Sequence, residues 1–227
     1  MLEVLEKEKK ETAKEYAVRI LKYNIMNLNL KPGQIVSENE IAQQLGISRT
    51  PVREAFIELS KASMVDIYPQ KGTYIAPINL GIIEQSRFMR AVLERAVIEI
   101  DCDNSNKTYI AYLEENLMLQ QSCAEQKDYK RLLYLDNEFH RLLFSMAGKE
   151  AIYDFMENIM GHFNRARMLN LAEMDRQRTI DEHKRMFEFI KAKDKKGASA
   201  LMEQHLSRIN TDLAYLQERH PEYFKNS

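Results

Sequence analysis

Tryptophan is absent from this 227-residue chain, and glycine, proline and cysteine occur only seven, five and two times. So few turn formers exclude a many-turned all-β fold and favour long helices. Cys102 and Cys123 are too few for a disulfide framework, and their spacing matches no cysteine-based metal motif, so a reducing cytoplasm is the expected location. No apolar run approaches the roughly 18 residues a membrane span requires. The charged start MLEVLEKEKKETAKEY is unlike a signal peptide. Repeats and low-complexity stretches are missing. Nor does either charge dominate: 33 Lys and Arg face 34 Asp and Glu. Bulk charge therefore argues for no nucleic-acid or membrane partner, and any such claim must rest on placement.

What is present is a 44% apolar, 30% charged sequence, enough to fill a core and solvate long helix faces. The prolines divide it. Pro32, Pro51, Pro69 and Pro77 crowd the start, and none lies between Ile78 and His220. The expected organisation is a small domain over 1–76, a link at 77–78 and a helical domain over 79–227.

In the first region Ala17, Ile20, Leu21, Ile25 and Leu28 recur at helical spacing, up to Lys31-Pro32-Gly33. Ser37-Glu38-Asn39-Glu40 reads as a capping box opening a second helix, with Gly46 as its left-handed cap. Ser48 can cap a third helix, and Pro51 falls in that helix's tolerant first turn. Val65-Asp66-Ile67-Tyr68 and Thr73-Tyr74-Ile75-Ala76 flank a Pro/Gly turn and predict a β-hairpin. Three helices plus a hairpin make a winged helix-turn-helix.

In that motif the start of the second motif helix enters the major groove. Here it carries Ser48, Arg49, Thr50 and Arg53. Arginine can pair bidentately with guanine, hydroxyls can hold phosphates, and the free N–H groups of a helix start favour an anion. Lys71 and Gly72 at the hairpin tip suit the DNA backbone or minor groove. The plainer alternative is a surface pair in which Arg53 meets Glu54 or Glu58. SENEIAQQLGISRTPVREAFIELSKASMV followed by PQKGTYIAP resembles the DNA-binding domain of GntR-type transcription regulators. The resemblance implies operator contacts by Arg49 and Arg53, with Thr50 beside them and Gly72 at the wing tip. LSKASMV departs from the family's usual leucine-rich run and glycine before the wing.

The second region predicts an all-α bundle of about six helices, near 79–102, 107–126, 128–146, 149–170, 174–192 and 194–217. The chain is thus mainly α. Polar residues interrupt its apolar stripes: Asp136 and His140 four apart, His183, and His205. Burying them unpartnered is costly. A shared divalent metal such as Zn, Ni or Mn satisfies all four; hydrogen-bonded core histidines are the alternative. His162 and His220 read as structural or exposed. Arg90 lies on a stripe with Ile83, Leu93 and Val97, and needs either Glu94 at i+4 or an anionic ligand; Arg167 is a weaker candidate of the same kind.

RAVLERA, LDNEFHRLLF, DEHKRMFEFI and MEQHL resemble the FCD domain of the FadR subfamily of GntR regulators. The resemblance implies metal ligation by Asp136, His140, His183 and His205, and a small organic acid bound near Arg90. The resulting expectation is a homodimeric regulator, a repressor, reading a near-palindromic double-stranded operator under control of a carboxylate effector. It has no catalytic residues and no membrane partner. Two alternatives stand beside it: a regulator with a purely structural metal, and a metal-dependent hydrolase with an accessory DNA-binding domain.

Overall fold

Thr12 caps the first helix, its side chain accepting from Glu15 N while Glu15 reaches back to Thr12 N at 2.8 Å. The computed structural model to which this cap belongs describes residues 2–104, 106–173 and 176–225. Helix α1 spans Ala13–Met26 and buries Ala17, Ile20, Leu21 and Ile25. It stops six residues before Pro32, because Leu28 takes a left-handed φ of 58° and turns the chain. Leu28 is therefore off the helical stripe and packs against the other region's core.

Helix α2, Glu38–Leu45, ends on Gly46 at φ 65°, as expected. Among the described residues only the Ser37 half of the expected capping box forms, at 3.5 Å to Glu40 N. Helix α3, Arg49–Lys61, buries Val52, Ala55, Phe56 and Leu59 against α1. Ser48 sits at its N-cap, but the hydroxyl makes no capping bond. The wing is larger than a hairpin. Strands β2 (Val65–Tyr68) and β3 (Gly72–Ile75) pair antiparallel, and β1 (Ile35–Val36) adds to β3, giving the order β1-β3-β2. Two residues are too short a run for periodicity to reveal; pairing with Tyr74 and Thr73 defines them.

The second region contains eight α-helices among the described residues: α4 Leu80–Asn104, α5 Lys107–Gln126, α6 Tyr129–Met146, α7 Glu150–Glu157, α8 Gly161–Glu173, α9 Gln177–Lys191, α10 Lys195–Ser207 and α11 Ile209–Arg219. Two expected helices are each broken. The 149–170 span divides where Asn158, Ile159 and Met160 bond back three residues instead of four and redirect the chain. The 194–217 span divides at Arg208, whose guanidinium turns to Glu182. The first residues of the expected 174–192 helix lie outside the described residues. The expected link is pinned: Ile78 N donates to Tyr223 O and Lys225 N to Ile78 O, at 2.7 and 2.9 Å. Ile78 itself is fully buried in the helical core. Among the described residues no helix is long and apolar enough to cross a membrane.

Candidate functional site

On the DNA-motif side, Ser48, Arg49, Thr50 and Arg53 all lie exposed at the start of α3. Arg49 makes an ion pair with Glu38 at 3.0 Å, a partner that sequence spacing did not suggest. Glu58 is taken by Lys14 at 2.6 Å, and Arg53 makes no ion pair among the described residues. Lys71 N closes a turn onto Tyr68 O, with Pro69 and Gln70 at its centre. Gln70 at φ 62° supplies the left-handed position of a type II turn. Gly72 at φ 110° then enters β3 in a conformation that favours glycine. Lys71 is left exposed at the tip.

In the helical region, α6 brings in Asp136 and His140, α9 brings His183, and α10 brings His205. One ring nitrogen of each histidine lies within 4.8 Å of the others. The Nε2 atoms of His183 and His205 are 3.4 Å apart. Two imidazole nitrogens on one tetrahedral zinc, at about 2.0–2.1 Å from it, are separated by about 3.3 Å. The other nitrogens of His183 and His205 face outward to fixed partners. His183 Nδ1 donates to Gln120 Oε1 at 3.0 Å, and His205 Nδ1 donates to Glu182 Oε2 at 2.8 Å. His140 Nδ1 lies 2.7 Å from Glu94 Oε2. Gln120 is oriented in turn, its amide donating to Asn116 Oδ1 at 2.6 Å. Outer partners of this kind fix a histidine's tautomer and leave the inner nitrogen as a lone pair.

Burial pushes all three histidine pKa values down, far down for His183 and His205, so they are neutral bases. His140 Nε2 is buried and meets no hydrogen-bond partner among the described residues. An orphaned imidazole nitrogen facing two others fits a divalent cation better than a hydrogen-bonded core. Asp136 stands at the edge of the cluster, with Oδ1 3.8 Å from His183 Nε2 and Oδ2 3.7 Å from His140 Nε2. Its Oδ2 also pairs with Arg167. His162 is elsewhere, near the link, and His220 stacks on Tyr223 in the tail.

Beside the cluster opens a cavity of about 60 Å³, lined by Asp136 and His205 and ringed by Arg90, Arg167 and Arg208. Asn170, Thr179 and Asp212 complete the polar wall. At roughly 10–15 Å³ per water-sized sphere, it holds about four to six such groups, which suits a small ligand. Of the two partners open to Arg90 by sequence, the structure contains Glu94, at 2.5 Å, and the guanidinium also stacks over Phe163 at 5.0 Å. Burial pushes Glu94 up, but Arg90 and His140 outweigh it and hold the carboxyl low. Burial, then nearby Arg90, drives Arg167 well down; a further anion in the cavity would relieve it.

Two carboxylates therefore each join a histidine of the cluster to an arginine of the cavity. Glu94 spans His140 and Arg90, while Glu182 spans His205 and Arg208, the latter at 3.0 Å. Sequence reasoning missed Glu94 as a histidine partner, and it missed Gln120, Glu182 and Arg208 altogether. Glu182 precedes His183, but adjacent helix positions point apart, so spacing carried no signal for its bond to His205.

Residues 86–208 match the model of the FCD domain, and residues 13–75 match that of the bacterial regulatory proteins of the gntR family. The HTH-type transcriptional repressor RspR of Escherichia coli K12 is 28% identical over 207 residues, which is 91% of each chain. The HTH-type transcriptional regulator YdhC of Bacillus subtilis strain 168 is 28% identical over 200 residues, covering 87% of this chain and 88% of that one. In fold, the chain is similar to the solved structure of E. coli McbR/YncC, with a TM-score of 0.77 over 91% of this chain and 99% of that chain at 20% identity. A putative GntR regulator from Rhodococcus sp. RHA1 superposes with a TM-score of 0.76 over 88% and 97% of the two chains, also at 20% identity.

Proposed function

Given that this chain belongs to the gntR family of bacterial regulatory proteins and carries an FCD domain, we propose that it is a ligand-responsive transcriptional repressor. Its DNA affinity is set by a small carboxylate bound beside a metal ion in the helical region. The observation that carries this reading is the junction of two sites: three histidines gather their nitrogens, and one of them, His205, lines with Asp136 a small cavity ringed by arginines.

His140, His183 and His205 hold the ion, with Asp136 as the fourth ligand. A bound divalent cation supplies open coordination positions and positive charge for a carboxylate oxygen. Arg90, Arg167 and Arg208 orient the remainder of the acid. Two copies, paired through the helical region, place two α3 helices on a near-palindromic operator. Arg49 and Arg53 read base edges, Ser48 and Thr50 hold phosphates, and Lys71 and Gly72 lie along the backbone. The acid changes DNA affinity because it binds the two arrangements of the DNA heads unequally.

The site is poorly suited to hydrolysis. The three carboxylates beside the histidine cluster, Glu94, Asp136 and Glu182, are each paired with an arginine, which weakens them as general bases. A purely structural metal is the second reading; it is favoured by the pairs that already neutralise Arg90 and Arg167. Thermal unfolding against a panel of small organic acids, with Zn²⁺ or with chelator, separates the two. A rise with one acid that requires metal supports the sensor. A chelator effect with no acid response supports the structural ion.

A further inference from the structure

Helix α8 is buried on nearly every side, and its two faces do different things. Phe163, Arg167, Asn170 and Leu171 line the cavity. His162 and Arg165 lie on the opposite face by helical angle and reach the DNA-binding region. His162 Nδ1 accepts the backbone N–H of Asn79 at 3.1 Å and is contacted by Arg165 Nη2 at 2.7 Å. With Nδ1 occupied as acceptor, Nε2 carries the proton and donates to Ser63 O at 2.9 Å. Arg165 Nη1 donates to Ala76 O at 2.6 Å. Ser63 follows the recognition helix α3, Ala76 follows strand β3, and Asn79 precedes α4. Two side chains thus hold the exit of the recognition helix, the exit of the wing and the entry to the helical region.

Arg165 is fully buried; among the described residues its hydrogen bonds go to neutral acceptors, its Nε has none, and Asp66 is the carboxylate that supports its charge without a direct bond. Burying a guanidinium this way is expensive where an apolar contact would serve a passive joint. What it provides is directional hold on one carbonyl and one imidazole, which a small rotation of α8 would break. We propose that His162 and Arg165 form a latch through which α8 transmits the state of the arginine-lined cavity to the recognition helix and wing. The proposal rests on the ligand-sensing reading above and names the physical link that reading requires.

The test is amide hydrogen exchange on the full-length chain, in a mutant cycle that needs no ligand. Arg167→Met alters the cavity face of α8, and Arg165→Met releases the latch. Exchange at Asn79 and at Met64–Asp66 is expected to change severalfold on Arg167→Met in the wild-type background. It is expected to stay unchanged when Arg165→Met is already present. Equal responses in the two backgrounds, or no response in either, overturn the latch. Should Arg165→Met not fold, Arg165→Lys keeps the charge while losing the two-pronged hold, and serves in the same cycle. A parallel calorimetric titration with Zn²⁺ separates the readings: absence of binding defeats the metal site, whereas the mutant cycle alone decides the latch.

Discussion

His183 and His205 bring their Nε2 atoms to 3.4 Å from each other while their Nδ1 atoms are held by Gln120 and Glu182. With both Nδ1 atoms acting as donors, the two Nε2 lone pairs face each other, an arrangement that a cation between them would favour. The outer partners set that orientation before any ion arrives.

Gln120→Leu should therefore weaken divalent binding without touching a ligand. Loss of an outer partner typically costs 10- to 100-fold in metal affinity, and calorimetry with Zn²⁺ would read it. His183→Ala should abolish stoichiometric binding in elemental analysis. Wild-type affinity in Gln120→Leu would mean that the ring orientation is set by packing, with Phe139 stacked 4.2 Å from His183 as the alternative support.

In the proposed reading, Arg49 leaves Glu38 to reach DNA. The pair is exposed at the arginine end, so breaking it costs little. Glu38→Gln should then tighten operator binding modestly, and Arg49→Ala should abolish specific binding. Arg53→Ala should cost about 1–3 kcal/mol, roughly 5- to 150-fold. Gel-shift titration on an operator selected from random duplexes checks all three. Specific affinity unchanged by Arg49→Ala would remove the recognition-helix assignment.

Phe88 and Val92 on α4 are 64% and 55% exposed, and Phe155 on α7 is 80% exposed. Ser86 Oγ donates to Ile159 O at 3.1 Å, which sets the end of the α7 turn against α4. Exposed apolar side chains on two packed helices suit an interaction surface. The expected occupant is a second copy, because the proposed near-palindromic operator needs paired heads and α4 directly follows the link to the DNA-binding region. The Phe88→Asp, Phe155→Asp double variant should elute as a monomer in light-scattering chromatography while retaining its helicity. A dimer that survives both changes would place the interface elsewhere.

Asp101 is fully buried, and neither carboxylate oxygen has a hydrogen-bond partner among the described residues. Burial pushes its pKa up to about 8. Its folded pKa is above the unfolded value, so the native state holds the proton longer. The resulting stability is fully present below about pH 4 and is lost as pH rises toward 8, at no more than about 1.4 kcal/mol per pH unit. Asp101→Leu should thus gain on wild type as pH rises, in urea unfolding at pH 5 and pH 7.5. The same difference at both pH values would show that Asp101 ionises in the ordinary range.

Local rules made much of this protein legible from its residues. Gly46 marks the turn between α2 and α3, the Pro69–Gly72 segment marks the wing tip, and Asp136, His140, His183 and His205 stand out because charge or imidazole on an apolar stripe violates the pattern. These signals survive in one dimension because capping, turn geometry and helical period involve residues a few positions apart. The third strand was invisible, since two residues carry no period. Helix α8 gave no single stripe because it is buried on opposed faces, so His162 and Arg165 passed as unremarkable. The acceptors that orient the histidines lie on α4, α5 and α9, 23 to 63 positions away in sequence from the rings they hold. Sequence alone determined which side chains must leave water and which of those are polar. Only tertiary packing decided how they meet: three histidines facing one point, three arginines around one cavity, and one helix joining that cavity to the recognition helix and wing.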